Sequence, residues 1–390
     1  MTTAIDFDQI IDRSNTASVK YDARKAVFGR EDITPLWVAD MDFATPEAVT
    51  QALVERAKHP VFGYTLYPES MYHAMQAWFE RRHNWSIDRK SIVMCPGVVP
   101  SMHAAILALS KPGDKVIVQS PVYPPFFSAV TQTGRALLIN PLVLEGDHYK
   151  MDLAHLEQCA ADGATLLLLC SPHNPVGRVW HKDELEAVLA IAKRYDITLI
   201  SDEIHADLIF PGYRHIPIST LTNDVEIVTA VSASKTFNIA GLGLSSLIVD
   251  NKRHRDAINA VFEQWHVSAC NPFSIVAFEA AYRDGEHWLN QLMVYLDDTR
   301  RQVSLFFEQA LSPIKLIPSQ GTYLVWLDCR ALKLTDDELK RVFIEKAKLG
   351  LNPGISFGGE GSGFMRLNIA APRSLILQAC QQIQHALNKK

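Results

Sequence analysis

From about residue 90 onwards, short runs of consecutive apolar residues alternate with longer segments of mixed polarity. A short run that is apolar on both faces is typical of a strand buried on both faces of a sheet. Four such runs lie at residues 116–118, 166–169, 198–200 and 227–231. Between the last three, residues 183–195 have a helical period and residues 205–222 are irregular. Buried strands joined by crossovers predict an α/β fold with a mostly parallel central sheet.

The pattern changes near residue 288. An amphipathic helix is predicted over residues 289–311, and the apolar run at residues 322–327 predicts a strand. This combination is typical of a smaller α+β domain. A chain of 390 residues with 48% hydrophobic content can bury more than one core, so we expect two domains.

Charge and cysteine usage exclude several classes of function. The net charge is −5 and no basic stripe is visible, which argues against nucleic acid as a partner. No apolar run approaches the roughly 20 residues that span a membrane, and the N-terminus does not read as a secretory signal. The six cysteines form no CxxC pair, so we expect neither a metal site nor a disulfide framework. A cytoplasmic, soluble enzyme fits these features best.

The first candidate for chemistry is Lys235, which follows the apolar run at 227–231 and is flanked by Ser232 and Ser234. A lysine at the end of a buried strand is unusual, because an ammonium strongly resists burial. Two neighbouring hydroxyls suggest an amine held beside an anion. A lysine that forms a Schiff base with pyridoxal phosphate (PLP) needs this local chemistry. The alternative is an ordinary loop lysine after a core strand.

Further blocks strengthen the first interpretation. They lie at residues 171–177, 199–205, 352–358 and 363–368. Together with the lysine, and in this order, they resemble the class I and II aminotransferase superfamily of fold-type I PLP enzymes. The intervals from Asn174 to Asp202 and from Asp202 to Lys235 are close to those of that family.

Four segments narrow the resemblance to the MalY/PatB subgroup, whose members are cystathionine β-lyases and related carbon–sulfur lyases. These segments are residues 37–43, 62–64, 202–205 and 234–238. The resemblance implies the fold-type I PLP-dependent transferase fold. It implies a large PLP-binding domain at residues 49–287 and a small α+β domain at 288–390. An N-terminal segment, residues 1–48, would pack with the small domain.

The resemblance also assigns roles around the cofactor ring. Lys235 would form the Schiff base and later act as general base at the substrate Cα. Asp202 would face the pyridine nitrogen and keep it protonated, although a helix N-cap is an alternative role. Asn174 would hydrogen-bond the 3′-oxygen of the cofactor. Tyr123 would stack on the ring, unless it is a turn residue that packs on the core.

The phosphate is expected at the N-terminus of a helix over residues 101–109. Free backbone N–H groups and the helix dipole favour an anion at such a position. The residues that match are Gly97, Val98 and Val99, and the hydroxyls of Ser232 and Ser234 would add to them.

Three residues match substrate-binding positions of the family. Arg366 would clamp the substrate α-carboxylate with a two-pronged bond, and Asn174 would help to orient it. Tyr64 matches a tyrosine that the family lends from the neighbouring subunit. The resemblance therefore implies a homodimer with shared active sites.

Two positions depart from the wider superfamily. Most members carry an arginine on the phosphate where this chain has Gly243, and many carry a tyrosine where it has His205. The MalY/PatB subgroup shares both departures. We expect His205 to lie against the cofactor, the alternative being a polar side chain at a helix start.

The main hypothesis is therefore a PLP-dependent β-lyase acting on cystathionine or related S-substituted cysteines. Its products would be a thiol, pyruvate and ammonia, and the thiol from cystathionine would be homocysteine, a precursor of methionine. The second hypothesis is an aminotransferase of amino acids. The third, of a different class, is a regulatory protein that modulates a transcription activator, because the MalY type is associated with such a role.

Overall fold

Strands and helices alternate along the chain as the apolar pattern predicts. The computed structural model describes residues 5–267, 271–310 and 313–388. The strands are β1 (Thr34–Pro35), β2 (Ile92–Cys95), β3 (Lys115–Ser120), β4 (Ala136–Glu145), β5 (His148–Met151), β6 (Ala164–Cys170), β7 (Thr198–Asp202), β8 (Ile227–Val231), β9 (Ser245–Val249), β10 (Lys315–Ile317), β11 (Leu324–Asp328), β12 (Leu349–Gly350), β13 (Asn352–Pro353) and β14 (Phe364–Asn368). The helices are α1 (Val19–Asp22), α2 (Arg24–Phe28), α3 (Glu47–Lys58), α4 (Glu69–His83), α5 (Val98–Leu109), α6 (Pro125–Gln132), α7 (Leu153–Ala161), α8 (Lys182–Arg194), α9 (Ala233–Thr236), α10 (Lys252–Gln264), α11 (Pro272–Asp284), α12 (Glu286–Ala310), α13 (Asp336–Arg341) and α14 (Arg373–Asn388).

The large sheet has eight strands in the spatial order β2–β9–β8–β7–β6–β3–β4–β5. Its central strands, β8 to β4, are parallel neighbours. Strand β9 is antiparallel to both β2 and β8, so β2 runs in the same direction as the central strands. The carboxyl ends of β2, β8, β7, β6 and β3 therefore meet at one edge. In open α/β sheets this edge is where ligands bind.

Helices cover both faces of this sheet, which explains the continuous apolar runs. In β6, Leu166 and Leu168 pack in a cluster with residues of α5, α6 and α10. Leu167 and Leu169 face the opposite way, into a cluster with residues of α7 and α8. All four leucines are fully buried. The prediction of an α/β fold with a mostly parallel central sheet is confirmed.

The smaller sheet is antiparallel, in the order β10–β11–β14–β13. The strand predicted at 322–327 begins two residues later, because Thr322 has a positive φ of 67° that interrupts the extended backbone. The helix predicted at 289–311 is α12, and Leu311 lies outside the described residues. The predicted boundaries 48/49 and 287/288 lie inside the first turns of α3 and α12. The division into domains stays a prediction.

The N-terminal segment contacts the C-terminal part of the chain directly. Strand β1 pairs in parallel with β12, so that Thr34 lies opposite Leu349. Among the described residues, no helix combines the length and the apolar character needed to cross a membrane.

A buried ion cluster holds the same N-terminal segment together. Lys20 is fully buried, and its Nζ lies 2.9 Å from the Asp42 carboxylate. Arg13 contacts Asp42 at 2.7 Å and Asp40 at 2.6 Å. Two cations thus meet two carboxylates. A buried ammonium is tolerated only with such partners, and removal of one partner leaves an uncompensated charge.

We expect Lys20→Met to lower the free energy of unfolding by about 3 kcal/mol, because it strips Asp42 of its most deeply buried partner. Denaturant unfolding followed by circular dichroism measures the change. The matched control is Lys25→Met, since Lys25 forms an exposed pair with Glu31. There the change should be less than about 0.5 kcal/mol. Equal effects of the two substitutions would contradict a stabilising role for the buried cluster.

Candidate active site

Five predicted residues meet at the carboxyl edge of the large sheet. Gly97 follows β2, Tyr123 follows β3, Asn174 follows β6, Asp202 ends β7 and Lys235 follows β8. All five line one cavity of about 230 Å³. Residues that are far apart in sequence converge because their strands are neighbours that point the same way. The structure therefore brings together the lysine, the carboxylate, the amide and the aromatic ring that the sequence singled out.

Lys235 lies on the single-turn helix α9, which Ser232 caps. The Ser232 hydroxyl accepts a hydrogen bond from the Ser234 N–H and donates one to the Leu244 carbonyl. Both uses keep Ser232 away from the cavity, whereas Ser234 lines it. The Ser232 hydroxyl bonds the backbone on both sides, and its contact with the phosphate stays a prediction.

The Lys235 amine forms no ion pair with a carboxylate of the described residues. Its Nζ donates to the Ala39 carbonyl at 2.6 Å, and the same oxygen accepts from the Tyr323 hydroxyl at 2.9 Å. Burial lowers the pKa of Lys235 to about 8, although the nearby Asp40 charge partly opposes this shift. A lysine with this pKa is neutral in a substantial fraction of molecules near physiological pH, as a nucleophile or base requires.

Asp202 lies at the end of β7. Burial raises the pKa of its carboxyl to about 6, against the lowering effect of the Ile204 N–H bond. That N–H donates to Oδ1 at 3.1 Å. A cationic ligand group beside the carboxylate would lower this pKa again.

The loops after β3 and β6 meet directly. The Tyr123 N–H donates to the Asn174 carbonyl at 3.1 Å. Burial raises the pKa of the Tyr123 hydroxyl, which therefore stays protonated at neutral pH. The two loops leave neighbouring strands in opposite directions along the sheet, an arrangement typical of ligand clefts.

The N-terminus of α5 has the features of an anion site. The helix begins at Val98, three residues earlier than predicted, and no side chain caps it. Gly97, Val98 and Val99 all line the cavity. The Ser101 N–H bonds the Gly97 carbonyl, so the N–H groups before it are left for a ligand.

Gly243 also lines this part of the cavity. Its φ is +58°, a conformation that a side chain disfavours, and a Cβ there would lie 3.4 Å from the Pro96 carbonyl. The backbone itself is therefore unsuited to an arginine at this position. Lys235 is the one lysine or arginine among the described residues that line the cavity.

Arg366, on β14, approaches from the small sheet and reaches the site through Asn174. It donates to the Asn174 side-chain oxygen at 3.0 Å, to the Trp37 carbonyl at 2.9 Å and to the Asn352 side-chain oxygen at 2.7 Å. Burial lowers its pKa to about 10, so it remains a cation. All three acceptors are neutral, and its Nε has no partner among the described residues. This guanidinium can still receive an anion.

The two remaining predicted residues, His205 and Tyr64, differ in their position relative to the cavity. His205 lines the cavity, and burial together with the charges of Lys235 and Arg366 lowers its pKa to about 3. Its ring is therefore neutral at physiological pH. Tyr64 is fully exposed and does not line the cavity of its own chain.

Sequence reasoning gave no role to the backbone of residues 37–43, which we call the clamp segment. The Asn368 amide donates to the Val38 and Asp40 carbonyls. The Asn238 amide accepts from the Met41 N–H and donates to the carbonyls of Met41 and Phe43. Asn238 and Asn368 lie inside recognised blocks, but their acceptors are main-chain atoms. No side-chain pattern could have revealed these contacts.

The site fits the predicted cofactor. A flat ring can lie against Tyr123 with its nitrogen toward Asp202, while its phosphate would bind at the α5 N-terminus and its aldehyde would meet Lys235. Each contact matches a group present on this chain with suitable charge. Among the described residues, no group of three or more His, Cys, Asp or Glu side chains could hold a metal ion.

Comparison with known proteins agrees with this geometry. The model of the family described as aminotransferase class I and II matches residues 31–383. Cystathionine beta-lyase PatB of Bacillus subtilis (strain 168) is 38% identical over 387 residues, which cover 98% of this chain and 100% of that protein. Protein MalY of Escherichia coli (strain K12) is 35% identical over 373 residues, or 95% of each chain.

Among solved structures, cystalysin of Treponema denticola contains a pyridoxal 5′-phosphate cofactor. It superposes with a TM-score of 0.95 at 36% sequence identity, over 99% of both chains. The resemblance predicted from the sequence is confirmed.

We expect the native, cofactor-free protein to react at Lys235 with acetic anhydride half-maximally near pH 8. Only the neutral amine reacts, so a lowered pKa moves the rise of the rate to lower pH. Peptide mass mapping after a brief pulse gives the rate at each pH. The control is the same peptide in urea-unfolded protein, where the rise should come above pH 10. If the rate of acetylation depends on pH in the same way in folded and unfolded protein, the fold does not lower the pKa of Lys235.

Proposed function

The chain belongs to the aminotransferase class I and II family, and we propose that it is a PLP-dependent carbon–sulfur β-lyase. Its substrates would be cystathionine or related S-substituted cysteines, cleaved to a thiol, pyruvate and ammonia. From cystathionine, the thiol would be homocysteine. The observation that carries the proposal is the convergence of Lys235, Asp202 and Asn174 on the anion-binding end of α5. It is supported by the names of the relatives described above.

Arg366 and Asn174 would bind the α-carboxylate of the substrate. Among the described residues the guanidinium has only neutral acceptors, so a carboxylate would add its first contact with a charged acceptor. Because the Asn174 side chain also touches the cavity, the two residues can hold the carboxylate in one orientation. That orientation would direct the Cα–H bond toward Lys235.

Lys235 would take the Cα proton. Bound PLP supplies the electron sink for the pair of electrons left on Cα. The protonated amine can then rest against the Ala39 carbonyl, which it already contacts at 2.6 Å. The Asp202 carboxylate would hold the proton on the ring nitrogen. A thiol with a pKa near ~8.5 leaves as thiolate with little acid assistance.

Gly243 favours a lyase over an aminotransferase. With no arginine there, the phosphate would be held mainly by backbone N–H groups and the Ser234 hydroxyl. An aminotransferase must retain the amine form of the cofactor without any covalent bond to the lysine. A lyase returns to the lysine-bound form within each cycle, so it tolerates a weaker phosphate site. Neutral His205 could hydrogen-bond the ring oxygen in place of the tyrosine found elsewhere in the superfamily.

In a homodimer with shared active sites, Tyr64 would contribute to the site of the partner subunit. Its fully exposed ring lies in a loop that also exposes Val61, Phe62 and Leu66. Several exposed apolar side chains in one short loop are typical of a protein interface. The partner's cavity would receive Tyr64, whose hydroxyl could bind the substrate or donate a proton to the leaving group. We place the enzyme in the cytoplasm, and a regulatory protein partner stays a prediction.

With cystathionine alone, we expect pyruvate and free thiol to appear in equal amounts over many turnovers, without any added keto acid. Lactate dehydrogenase coupling measures the pyruvate, and a disulfide reagent measures the thiol. With alanine plus a keto acid, turnover should be at least about 100-fold slower, a difference of about 2.7 kcal/mol in activation free energy. Faster transamination than cleavage would overturn the lyase proposal and favour an aminotransferase.

We expect mixed Tyr64→Phe and Lys235→Ala subunits to regain activity that each variant lacks alone. In a hybrid dimer, one of the two sites would have both groups intact. Differently tagged subunits, purified through both tags, isolate the hybrid for assay. The control is each variant unfolded and refolded with itself. If the purified hybrid is no more active than these homodimers, the sites are not shared.

A further inference from the structure

A buried carboxylate lies directly behind the helix that carries Lys235. Asp207 is 7% exposed and belongs to the loop that leaves β7 after Asp202. It accepts hydrogen bonds from the Trp78 indole at 3.1 Å, from His83 Nε2 at 2.8 Å and from the Thr236 hydroxyl at 2.9 Å. None of these groups lines the cavity. The reaction proposed above leaves this network without a role.

The network holds both residues that follow Lys235. Thr236 is fully buried, and its hydroxyl donates to Asp207. Phe237 packs edge-on against the Trp78 ring, with centroids 5.3 Å apart, and the same indole donates to Asp207. Helix α9 is a single turn, and one turn is not stable by itself. Its orientation must therefore come from side-chain anchors such as these.

The negative charge of Asp207 fixes the direction of its hydrogen bond with the Thr236 hydroxyl. Burial alone would raise the pKa of this carboxyl, but the His83 hydrogen bond and charge, with the Thr236 hydroxyl, bring it below the usual value. An ionised carboxylate can only accept hydrogen bonds. The Thr236 hydroxyl must then point at it, and a bond to a charged acceptor is stronger than a neutral one.

We propose that Asp207 is a positioning residue for Lys235. Through Thr236 it fixes the rotation of α9, and this rotation places the lysine Nζ against the Ala39 carbonyl at the cavity. The same loop thus presents Asp202 to one side of the cofactor site and secures the lysine from behind. This inference rests on the proposed function, because it takes Lys235 as the reacting amine.

The test compares three threonine variants, two that remove a hydroxyl and one that retains it. Thr236→Val removes the bond to Asp207 with little change of shape, and Thr236→Ser retains it. Thr229→Val is the matched control, since Thr229 is fully buried on β8 and its hydroxyl has no partner among the described residues. Stopped-flow absorbance follows formation of the lysine imine after PLP is mixed with the cofactor-free protein. Steady-state assays give kcat and KM for cystathionine, and thermal melts give Tm.

For Thr236→Val we expect imine formation and kcat to fall about 10-fold to 100-fold, as a misplacement of about 1 Å can produce. The KM should change little, because the groups that bind the substrate are untouched. Thr236→Ser should stay within about twofold of the parent protein in both rates. Thr229→Val should match the parent protein throughout.

If Thr236→Val and Thr229→Val have the same imine rate and kcat, Asp207 does not position the lysine, whatever their Tm. Should Thr236→Val fail to fold, Asp207→Asn keeps the shape and removes the charge. It should show the same slow imine formation, and an unchanged rate would refute the inference. Borohydride reduction of the parent holoenzyme with peptide mapping tests the proposed function separately. A label on a residue other than Lys235 would refute both the proposed function and the positioning role of Asp207. A label on Lys235, together with unchanged rates in the Thr236 and Asp207 variants, would refute only the positioning role.

Discussion

The backbone of the clamp segment, residues 37–43, is the constraint on which the site depends. Its carbonyls receive hydrogen bonds from the lysine-bearing loop through Lys235 and Asn238, and from the small sheet through Arg366 and Asn368. Two distant parts of the chain therefore meet at the cavity through one stretch of main chain. A shift of this segment would move the amine and the guanidinium together. The distance between the Lys235 amine and the Arg366 guanidinium consequently depends on every part of the chain that holds this segment.

Charge is distributed unequally between the cavity and its surroundings. In the N-terminal cluster, Arg13 and Lys20 meet two carboxylates. In the site, the hydrogen-bond acceptors of Lys235 and Arg366 among the described residues are neutral oxygens, and the α5 N-terminus adds positive potential. A dianionic cofactor and a substrate carboxylate would add negative charge. Affinity for anions thus follows from cations whose hydrogen-bond partners in the described chain are neutral.

The sequence predicted the sheet and the residues at its carboxyl edge, because buried strands and their terminal polar residues leave a readable pattern. It placed the start of β11 two residues too early, where Thr322 turns the chain. It gave no role to the Ala39 carbonyl or to Asp207. A main-chain acceptor has no side-chain signature, and a buried carboxylate in an irregular loop resembles any surface aspartate. Such contacts depend on tertiary neighbours that periodicity cannot identify.

The pairing of β1 with β12 has a consequence for biosynthesis. Residues 34–43 are made before the large sheet, but the strand that pairs with Thr34 and Pro35 and the amide of Asn368 are made after it. The large sheet contains every strand from β2 to β9 and can assemble while translation continues. The clamp segment must wait for the amide of Asn368 on β14. The nascent chain can therefore hold a nearly complete large sheet before the contacts that fix its cavity are available.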